Sequence, residues 1–354
     1  MWRSIWKTRS GASLLEYSIT LGLISAVGIG TISSISNELQ DNFTNGAALL
    51  FSAANGIETS CHHPDRLGTI GDAGTRCAGM YIVSELELRQ ASFQGDATFA
   101  IDTPYGEYTF RDDANNIYTG QVTDMSYLFA SPDYATQGYA SYNEDIGYWD
   151  TSAVVDMSRM FLFNSGFNQN IGAWDTSSVT DMTAMFSRAQ AFNQNIGNWD
   201  VSRVSEMKHL FASATSFNQD ISSWNTSRVI NMRNMFDGAT QFDQNLDSWD
   251  VGIVRDMQLM FRNATNFDRP IGSWNTHSVN NMENMFNGAA SFNQNIAAWN
   301  TSAVLSMNGM FADAALFNQD LSGWNVSSVA TYSNFVNSGS NSSFLSNADY
   351  QPSF

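Results

Sequence analysis

The sequence is poor in cysteine, proline, histidine and basic residues. Its 354 residues include 2 cysteines, 5 prolines, 4 histidines and 16 lysines and arginines, against 34 aspartates and glutamates. The resulting net charge of −18 argues against nucleic acid and anionic membrane surfaces as partners, because both repel an acidic chain. Only 14% of the residues are charged, so asparagine, serine and threonine supply much of the polarity. The length allows two or three domains.

The sequence also lacks a recognisable catalytic motif. Two of the four histidines are adjacent, and none is placed with a repeated serine, cysteine or acid. There is no H-E-x-x-H, no G-x-S-x-G and no glycine-rich phosphate loop after a strand. Acids are plentiful, so a glycosidase-like pair is not excluded by counting, but most of them recur with the repeat described next. We therefore expect a protein that is not an enzyme and has no cofactor.

What the sequence does have is a tryptophan that returns every 25 residues. A fixed period of this size indicates a solenoid, in which each repeat packs on its neighbours. We expect these tryptophans to form the core rather than a cofactor site. They are Trp149, Trp174, Trp199, Trp224, Trp249, Trp274, Trp299 and Trp324.

Within each repeat the apolar spacing changes once. Val179, Met182, Met185 and Phe186 are spaced like one stripe of a short helix, and fourteen of the sixteen methionines occupy such positions. Residues 192–196 alternate apolar and polar side chains, as a strand does. The sequence thus predicts an α/β solenoid of short parallel strands and short helical turns, with like side chains stacked on like.

Two polar features of the repeat have a structural interpretation. Serines two places before the valine are predicted helix N-caps, and the acids of the first turn suit the positive end of a helix dipole. These are Ser177, Ser202 and Ser227, and Asp156, Asp181, Glu206 and Asp256. Asparagines and aspartates one and three places after the phenylalanine could instead bind calcium, but the pattern breaks at Asp268-Arg269-Pro270, and we expect no metal site.

The repeat phrase resembles the BspA-like family of leucine-rich-repeat-type surface proteins, whose unit reads V-T-D-M-x-x-M-F followed by F-N-Q-D-I-x-x-W-D-T. The resemblance covers Gln121 to about Val336. It implies a solenoid on a bacterial surface, often in adhesion. The matching residues are scaffold residues, so the resemblance implies a fold and no catalytic position.

The N-terminus is basic and then apolar. Residues 1–11 carry three basic residues and no acid, and the 21 positions between Glu16 and Glu38 are uncharged. About 20 such residues span a bilayer as a helix. A signal peptide, a plain membrane anchor and a prepilin all fit this order. Glu16 favours the prepilin, because a carboxylate in a membrane helix usually has a function and a partner.

Gly11 followed by Ala-Ser-Leu-Leu-Glu-Tyr resembles the processing site of type IV prepilins, in particular the Flp pilins of tight-adherence (Tad) pili. The resemblance implies cleavage by prepilin peptidase between Gly11 and Ala12. It also implies that Glu16 and Tyr17 act in filament assembly, with the Glu16 carboxylate facing the Ala12 ammonium of the next subunit. Flp pilins are usually little more than this helix, and here about 300 residues follow.

The remaining segments are a connector and a C-terminal end. Cys61 and Cys77 lie outside the repeats and predict one disulfide in an oxidising compartment; a zinc site with His62 and His63 is the less favoured alternative. A hairpin is predicted around residues 104–106, covering the open first coil. A tyrosine-rich loop at 131–142 is an insertion or a recognition surface.

The sequence therefore predicts five segments: a prepilin leader (1–11), a long hydrophobic pilin-like helix (12–53), a connector with the disulfide loop and capping hairpin (54–120), the repeat solenoid (121–336), and a cap and tail (337–354). The predicted function is a structural subunit of a Tad-type pilus that displays an adhesin. Its partners would be other pilin subunits, the inner membrane before assembly and an unknown surface or host ligand. The alternative is a membrane-anchored or secreted adhesin without a filament.

Overall fold

A computed structural model describes residues 61, 64–71, 77, 80–93, 100–109, 117–130 and 142–354 of the chain. The predicted leader and hydrophobic helix, residues 1–53, lie outside these residues. The described elements, in chain order, are strand β1 (Tyr81–Ile82), helix α1 (Glu85–Phe93), strands β2 (Ala100–Thr103), β3 (Gly106–Thr109) and β4 (Ile117–Tyr118), and helix α2 (Ser342–Ser346), with 3-10 turns at Pro64–Arg66 and Ala348–Tyr350.

Each 25-residue period forms one coil that is built from successive tight turns. In the second coil the N–H of Met160 donates to the carbonyl of Met157, and Asn164 donates to Phe161 in the same way. Further three-residue turns close at Trp174 and at Val154. A chain of such turns brings a polar backbone once around the solenoid without a helix or a sheet.

Neighbouring coils are joined in parallel register by main-chain hydrogen bonds. The N–H groups of Met157, Arg159 and Phe161 donate to carbonyls 24 residues later, at distances of 3.1, 2.7 and 2.9 Å. One bridge residue per coil pairs with the same position of the next. These bridge residues, the bridge column, are Asp124, Asp156, Asp181, Glu206, Asn231, Asp256, Asn281, Ser306 and Thr331.

The predicted helical turn of the repeat is wrong. Alternate main-chain N–H groups donate to carbonyls of the next coil, and the others donate within three-residue turns. The hydrogen bonds between residues four apart that define an α-helix therefore do not form. Two positions per coil also have positive φ, for example Arg159 at 58° and Phe163 at 62°, which no right-handed helix accommodates. Overlapping three-residue turns repeat the apolar spacing of a helix stripe, which explains the error.

The α/β assignment of the fold is likewise wrong. Across the described ranges, the α-helices are α1 and α2, with 9 and 5 residues, and neither has the length and hydrophobicity of a membrane span. Residues 192–196 form no strand. The coils consist of turns and single-residue bridges, because the main chain of each coil bends too often for a longer ladder of β-bridges to form.

The tryptophan column holds adjacent coils together from inside. All eight repeat tryptophans are at most 5% exposed. From Trp174 to Trp324, each indole N–H donates to a main-chain carbonyl of Ile or Leu 28 residues earlier, at 2.9–3.2 Å. Each of these carbonyls also accepts the main-chain N–H of the tryptophan in its own coil. The indole N–H, which is costly to bury unpaired, thus finds its partner in the preceding coil.

Two phenylalanine columns fill the rest of the core. Phe161 and its successors stack at centroid distances of 5.5–5.7 Å. Phe167 and its successors stack at 5.8–6.0 Å. The predicted stacking of like side chains is therefore present, and it fixes the register between coils.

The connector covers the first coil. Arg89 of α1 donates to the carbonyls of Ser126 and Asp124 at 2.7 and 3.0 Å. The equivalent carbonyls of the second coil, Asp156 and Ser158, accept N–H groups from the coil before. Arg89 thus supplies the donors that a preceding coil would give, and it also pairs with the Asp124 carboxylate at 2.7 Å.

The hairpin predicted around residues 104–106 is present as β2 and β3, which pair in antiparallel register. It packs through Ile101, which is 4% exposed, and through Tyr108, whose ring stacks on Tyr81. The parallel pair β1–β4 lies beside it. Closure of the open main-chain edge comes from Arg89 of α1 rather than from this hairpin.

The C-terminal segment closes the other end. Phe344 of α2 lies edge-on against Phe317 at 5.2 Å and 82°, which ends the face-to-face stack. The N–H of Leu321 donates to the carbonyl of Tyr350 at 2.8 Å, and Phe354 stacks on Tyr332 at 4.2 Å. Residues 337–354, for which a cap and a tail were predicted, are therefore packed on the last coil as far as Phe354.

Replacing Trp224 with phenylalanine tests the indole bond. The variant keeps an aromatic ring but removes the indole bond to the Ile196 carbonyl, which retains the main-chain N–H of Trp199, and it adds a small cavity. We expect a loss of about 2–3 kcal/mol in the free energy of unfolding, measured by denaturant titration followed by circular dichroism.

Thr226→Val is the matched control for this substitution. Thr226 donates to the Asp250 carbonyl, but valine already occupies its position in neighbouring coils, as Val201 and Val251. We expect this variant to lose no more than about 1 kcal/mol. Equal losses in the two variants would contradict a special role for the indole.

Candidate functional site

The asparagines that follow the second phenylalanine column form a ladder of side-chain hydrogen bonds. Asn168 Oδ1 accepts the N–H of Asn193 at 2.9 Å, and Asn193 Oδ1 accepts the N–H of Asn218 at 2.9 Å. The same contact recurs from Asn143 to Asn318 at 2.7–3.1 Å. This polar column is therefore committed to joining coils.

The next position extends the ladder, including the coil where its pattern breaks. Gln194 Nε2 donates to the carbonyl and Oδ1 of Asn168, at 2.9 and 3.0 Å. Arg269 replaces this glutamine in one coil and donates to the carbonyl and Oδ2 of Asp243, at 3.0 and 2.6 Å. The apparent break is thus a substitution that keeps both bonds.

The carboxylates and amides of three further positions cap turns. Asp181 Oδ1 accepts the N–H of Thr183 at 2.7 Å, and Asp175 Oδ1 accepts that of Ser177 at 3.0 Å. Asn170 binds the N–H of Gly172 likewise. The predicted serine N-caps are therefore wrong: Ser177 is the donor, and the acid column that was assigned to a helix dipole accepts main-chain N–H groups.

The candidate metal ligands do not come together. Throughout the residues that the structure describes, no group of three or more histidine, cysteine, aspartate or glutamate side chains could hold a metal ion. His62 and His63 lie outside those residues. The asparagine and aspartate columns that suggested calcium direct their oxygens at main-chain N–H groups.

The other predicted site residues divide into two groups. Gly11, Ala12, Glu16 and Tyr17 lie outside the described residues, as do residues 131–141 of the tyrosine-rich loop. Cys61 and Cys77 form a disulfide with a Cα–Cα distance of 5.9 Å. Tyr142, the last residue of the loop, is buried and stacks on Phe129 at 4.0 Å.

The sequence reading missed two positions of the repeat that adopt the left-handed conformation, one of them in nine described coils and the other in seven. We call them the left-handed columns. They comprise Tyr127, Arg159, Ala184, His209, Asn234, Leu259, Asn284, Gly309 and Asn334 at one position, and Phe163, Arg188, Ser213, Gly238, Asn263, Gly288 and Asp313 at the other, with φ between 53° and 73°. Glycine and asparagine suit this conformation.

Large side chains occupy these columns mainly in the first four coils. We call Tyr127, Arg159, Phe163, Arg188 and His209 the left-handed patch. A left-handed conformation costs about 1–2 kcal/mol for a residue other than glycine. From residue 234 onward the columns hold glycine, asparagine or aspartate, with Leu259 as the exception. The patch is thus the part of the scaffold where most of the bulky residues adopt a left-handed conformation that is unfavourable for them.

Arginines cover aromatic rings within the patch. The Arg159 guanidinium lies 5.2 Å from the ring centroid of Tyr127, and the Arg188 guanidinium lies 5.2 Å from that of Phe163. Each pair occupies one column in consecutive coils. Tyr127 is 48% exposed. The surface therefore offers ring and guanidinium groups side by side along the solenoid axis.

The pKa of His209 reflects its surroundings in the patch. Burial lowers the pKa of His209 below its usual value, and the cations Arg233, Lys208 and Arg159 lower it further, against the opposing effect of Asp237. Burial and these cations therefore favour the neutral imidazole. A sequence comparison of the coils could have found the patch, because its columns change from glycine and asparagine to bulky residues.

Three segments of the chain, residues 101–211, 133–249 and 233–348, match the family described as "Mycoplasma protein of unknown function, DUF285". Together they span well over half of the sequence. The chain belongs to this family. The DUF285 repeats agree with the resemblance to BspA-like repeats, whereas the match begins at residue 101 and lends nothing to the resemblance of the N-terminus to Flp pilins.

No curated protein matches the chain, and no solved structure matches it. The shared property of this DUF285 chain and its family is therefore the repeat.

The turn-capping acids of this DUF285 chain predict acid sensitivity. Hydrogen bonds from Ser222 and from Ser202 hold the pKa of Asp220 and of Asp200 below the usual value. A lowered folded-state pKa contributes stability that is present above the unfolded-state value, about 4, and is lost as the pH falls through the folded-state pKa.

We therefore expect Asp200→Asn/Asp220→Asn to reduce the loss of thermal stability below about pH 4. Asparagine caps the equivalent turns at Asn225 and Asn195, so the fold should persist. The control Glu107→Gln/Asp349→Asn removes two exposed acids elsewhere. The measurement is Tm against pH; identical acid slopes for the two double variants would refute the assignment.

Proposed function

We propose that this chain is a surface-displayed binding protein without catalytic activity, in which the solenoid presents an adhesive surface. The observation that carries the proposal is the disulfide-closed connector seated on the first coil. Disulfides persist in oxidising compartments and are rare in the cytosol. The Cys61–Cys77 bond therefore favours export of the chain.

The connector and the solenoid are one continuous structure. Tyr118 of β4 donates to the Asp150 carboxylate at 2.7 Å, and Thr119 donates to the Asp150 carbonyl at 3.0 Å. Gln121 donates to the carbonyl of Cys61 at 2.9 Å. The repeats are therefore in the same compartment as the oxidised cysteines.

The repeat itself favours display over catalysis. Its aromatic columns are buried, and its asparagine, glutamine and aspartate columns are used to join coils or cap turns. Solenoids expose long surfaces on which non-repeated side chains make binding sites. Adhesion is accordingly the role that the scaffold suits.

The finer role, a subunit of a Tad-type pilus, depends on Gly11, Ala12, Glu16 and Tyr17 alone. These residues lie outside the described part of the chain. The N-terminus of the mature protein separates the two roles: a start at Ala12 supports pilin processing, and any other start leaves a displayed adhesin without a filament.

Protease treatment of intact cells tests the display role. We expect the solenoid to be cleaved or released from whole cells while a cytoplasmic marker protein stays intact. Thiol labelling of the same cells should modify Cys61 and Cys77 only after reduction. A protease-shielded chain with freely labelled thiols would contradict display.

A further inference from the structure

The main-chain hydrogen bonds that follow each bridge residue all run in one direction between coils. In the last pair of coils, the N–H groups of Met307 and Gly309 donate to the carbonyls of Thr331 and Ser333, at 2.8 and 2.9 Å. Each earlier coil donates to its successor in the same way. A stack with this polarity ends in carbonyls at its first coil and in N–H groups at its last.

The two ends of the stack are closed to different extents. At the first coil, Arg89 supplies donors to two of the terminal carbonyls. At the last coil, the corresponding N–H groups belong to Tyr332, Asn334 and Val336. Among the residues that the structure describes, none of these three N–H groups has an acceptor. We call them the donor edge, and it lacks the counterpart that Arg89 provides at the other end.

The C-terminal segment leaves the donor edge uncovered. Phe344 packs against Phe317, on the phenylalanine side of the last coil. Tyr332 is 46% exposed, and residues 330–334 are all exposed. Val329 is partly exposed as well, although the valines at its position in the other coils are completely buried. An apolar rim, formed by Val329 and Tyr332, therefore borders the donor edge.

The direction of these hydrogen bonds determines which partner fits the donor edge. N–H groups on alternate residues match a row of acceptors with the same spacing, which the carbonyls of an extended main chain supply. A second copy does not fit tail to tail, because donors would face donors. Its first coil does not fit either, because Arg89 already occupies two of the carbonyls there. The chemistry therefore favours a segment of a different protein.

We propose that the donor edge binds an extended segment of a partner protein, which adds to the last coil as a further parallel strand. The carbonyls of this segment accept the N–H groups of Tyr332, Asn334 and Val336, and its apolar side chains cover the rim. The contacts inside the solenoid have the same form, since every coil holds its successor through these groups. The inference adds an interaction surface to the proposed display function.

The probe is a synthetic peptide of residues 301–316. In the chain, this segment presents carbonyls to the coil before it, and the Asn308 carbonyl accepts the N–H of Asn284 at 2.7 Å. A scrambled peptide of the same composition is the control ligand. Full-length protein labelled with nitrogen-15 is titrated with each peptide, and proton–nitrogen spectra report the main-chain N–H groups one by one.

The test variant is Ala330→Asp. It places a carboxylate two residues before Tyr332, and acids of this solenoid accept the N–H two residues later, as Asp156 does with Ser158 at 2.7 Å. The new carboxylate therefore occupies the donor edge and repels the carbonyls of the peptide. Val155→Asp is the matched control, because Val155 is exposed and occupies the same position of the repeat in an early coil.

We expect the peptide to shift the N–H signals of Tyr332, Asn334 and Val336, with a dissociation constant below about 1 mM in the unaltered chain and in the control. Ala330→Asp should bind at least about fivefold more weakly at an unchanged Tm. If its Tm falls, the shifts in the unaltered chain, compared with those from the scrambled peptide, decide the question.

Four results would overturn the proposal: no shift at the donor edge, equal shifts with the scrambled peptide, an equal loss of binding in the control, or slow hydrogen exchange of the Tyr332 N–H without peptide. The last result would mean that the chain itself, or a second copy, already covers the edge. Surface display could still hold in each case, because protease accessibility measures it separately.

Discussion

The fold depends on one constraint: the polar main-chain groups of each coil are satisfied by the coils on either side. The indole N–H of Trp174 binds a carbonyl of the preceding coil, and Met157 donates to the following one. A single coil leaves these groups unpaired in an apolar core, which is costly. Stacking is therefore obligatory, and both ends need a cap. Arg89 supplies donors to the first coil, and the Tyr350 carbonyl accepts the N–H of Leu321 in the last.

This constraint separates scaffold from function within the sequence. The aromatic, asparagine and aspartate columns cannot vary freely, because each is bonded or packed against its own copies. Variation is concentrated at outward positions, where a change costs the stack little. Arg159 and His209 are such positions, and their unfavourable backbone conformation distinguishes them from ordinary surface variation. The stack holds the chain together, and the side chains outside its columns differ from coil to coil.

The period, the buried tryptophans and the stacking of like residues could be predicted because they follow from repetition alone. The local structure could not. Val179, Met182 and Met185 have helical spacing, yet the register of overlapping turns gives the same spacing. The role of Asp181 was misassigned for the same reason, since an acid before a turn resembles an acid before a helix. The capping role of Arg89 could not be predicted because its guanidinium donates to carbonyls 35 and 37 residues away in the sequence.

Hydrophobic periodicity also could not predict the left-handed columns, since the spacing of apolar residues does not determine the backbone angle φ. Asn234, Gly238 and Asn263 in one half of the solenoid carry the signal. Aligning the coils with each other, and asking where glycine and asparagine give way to bulky residues, leads to Arg159 and His209. Repeat proteins allow this comparison within a single chain.

Hydrogen exchange of the indole N–H groups tests the central claim most directly. Proton–nitrogen correlation spectra recorded after transfer to deuterated water report each tryptophan side chain. The account predicts that the seven indoles from Trp174 to Trp324, which are bonded to the preceding coil, exchange slowly and together. Fast exchange of these indoles in the folded protein would show that the coils are not joined in this way.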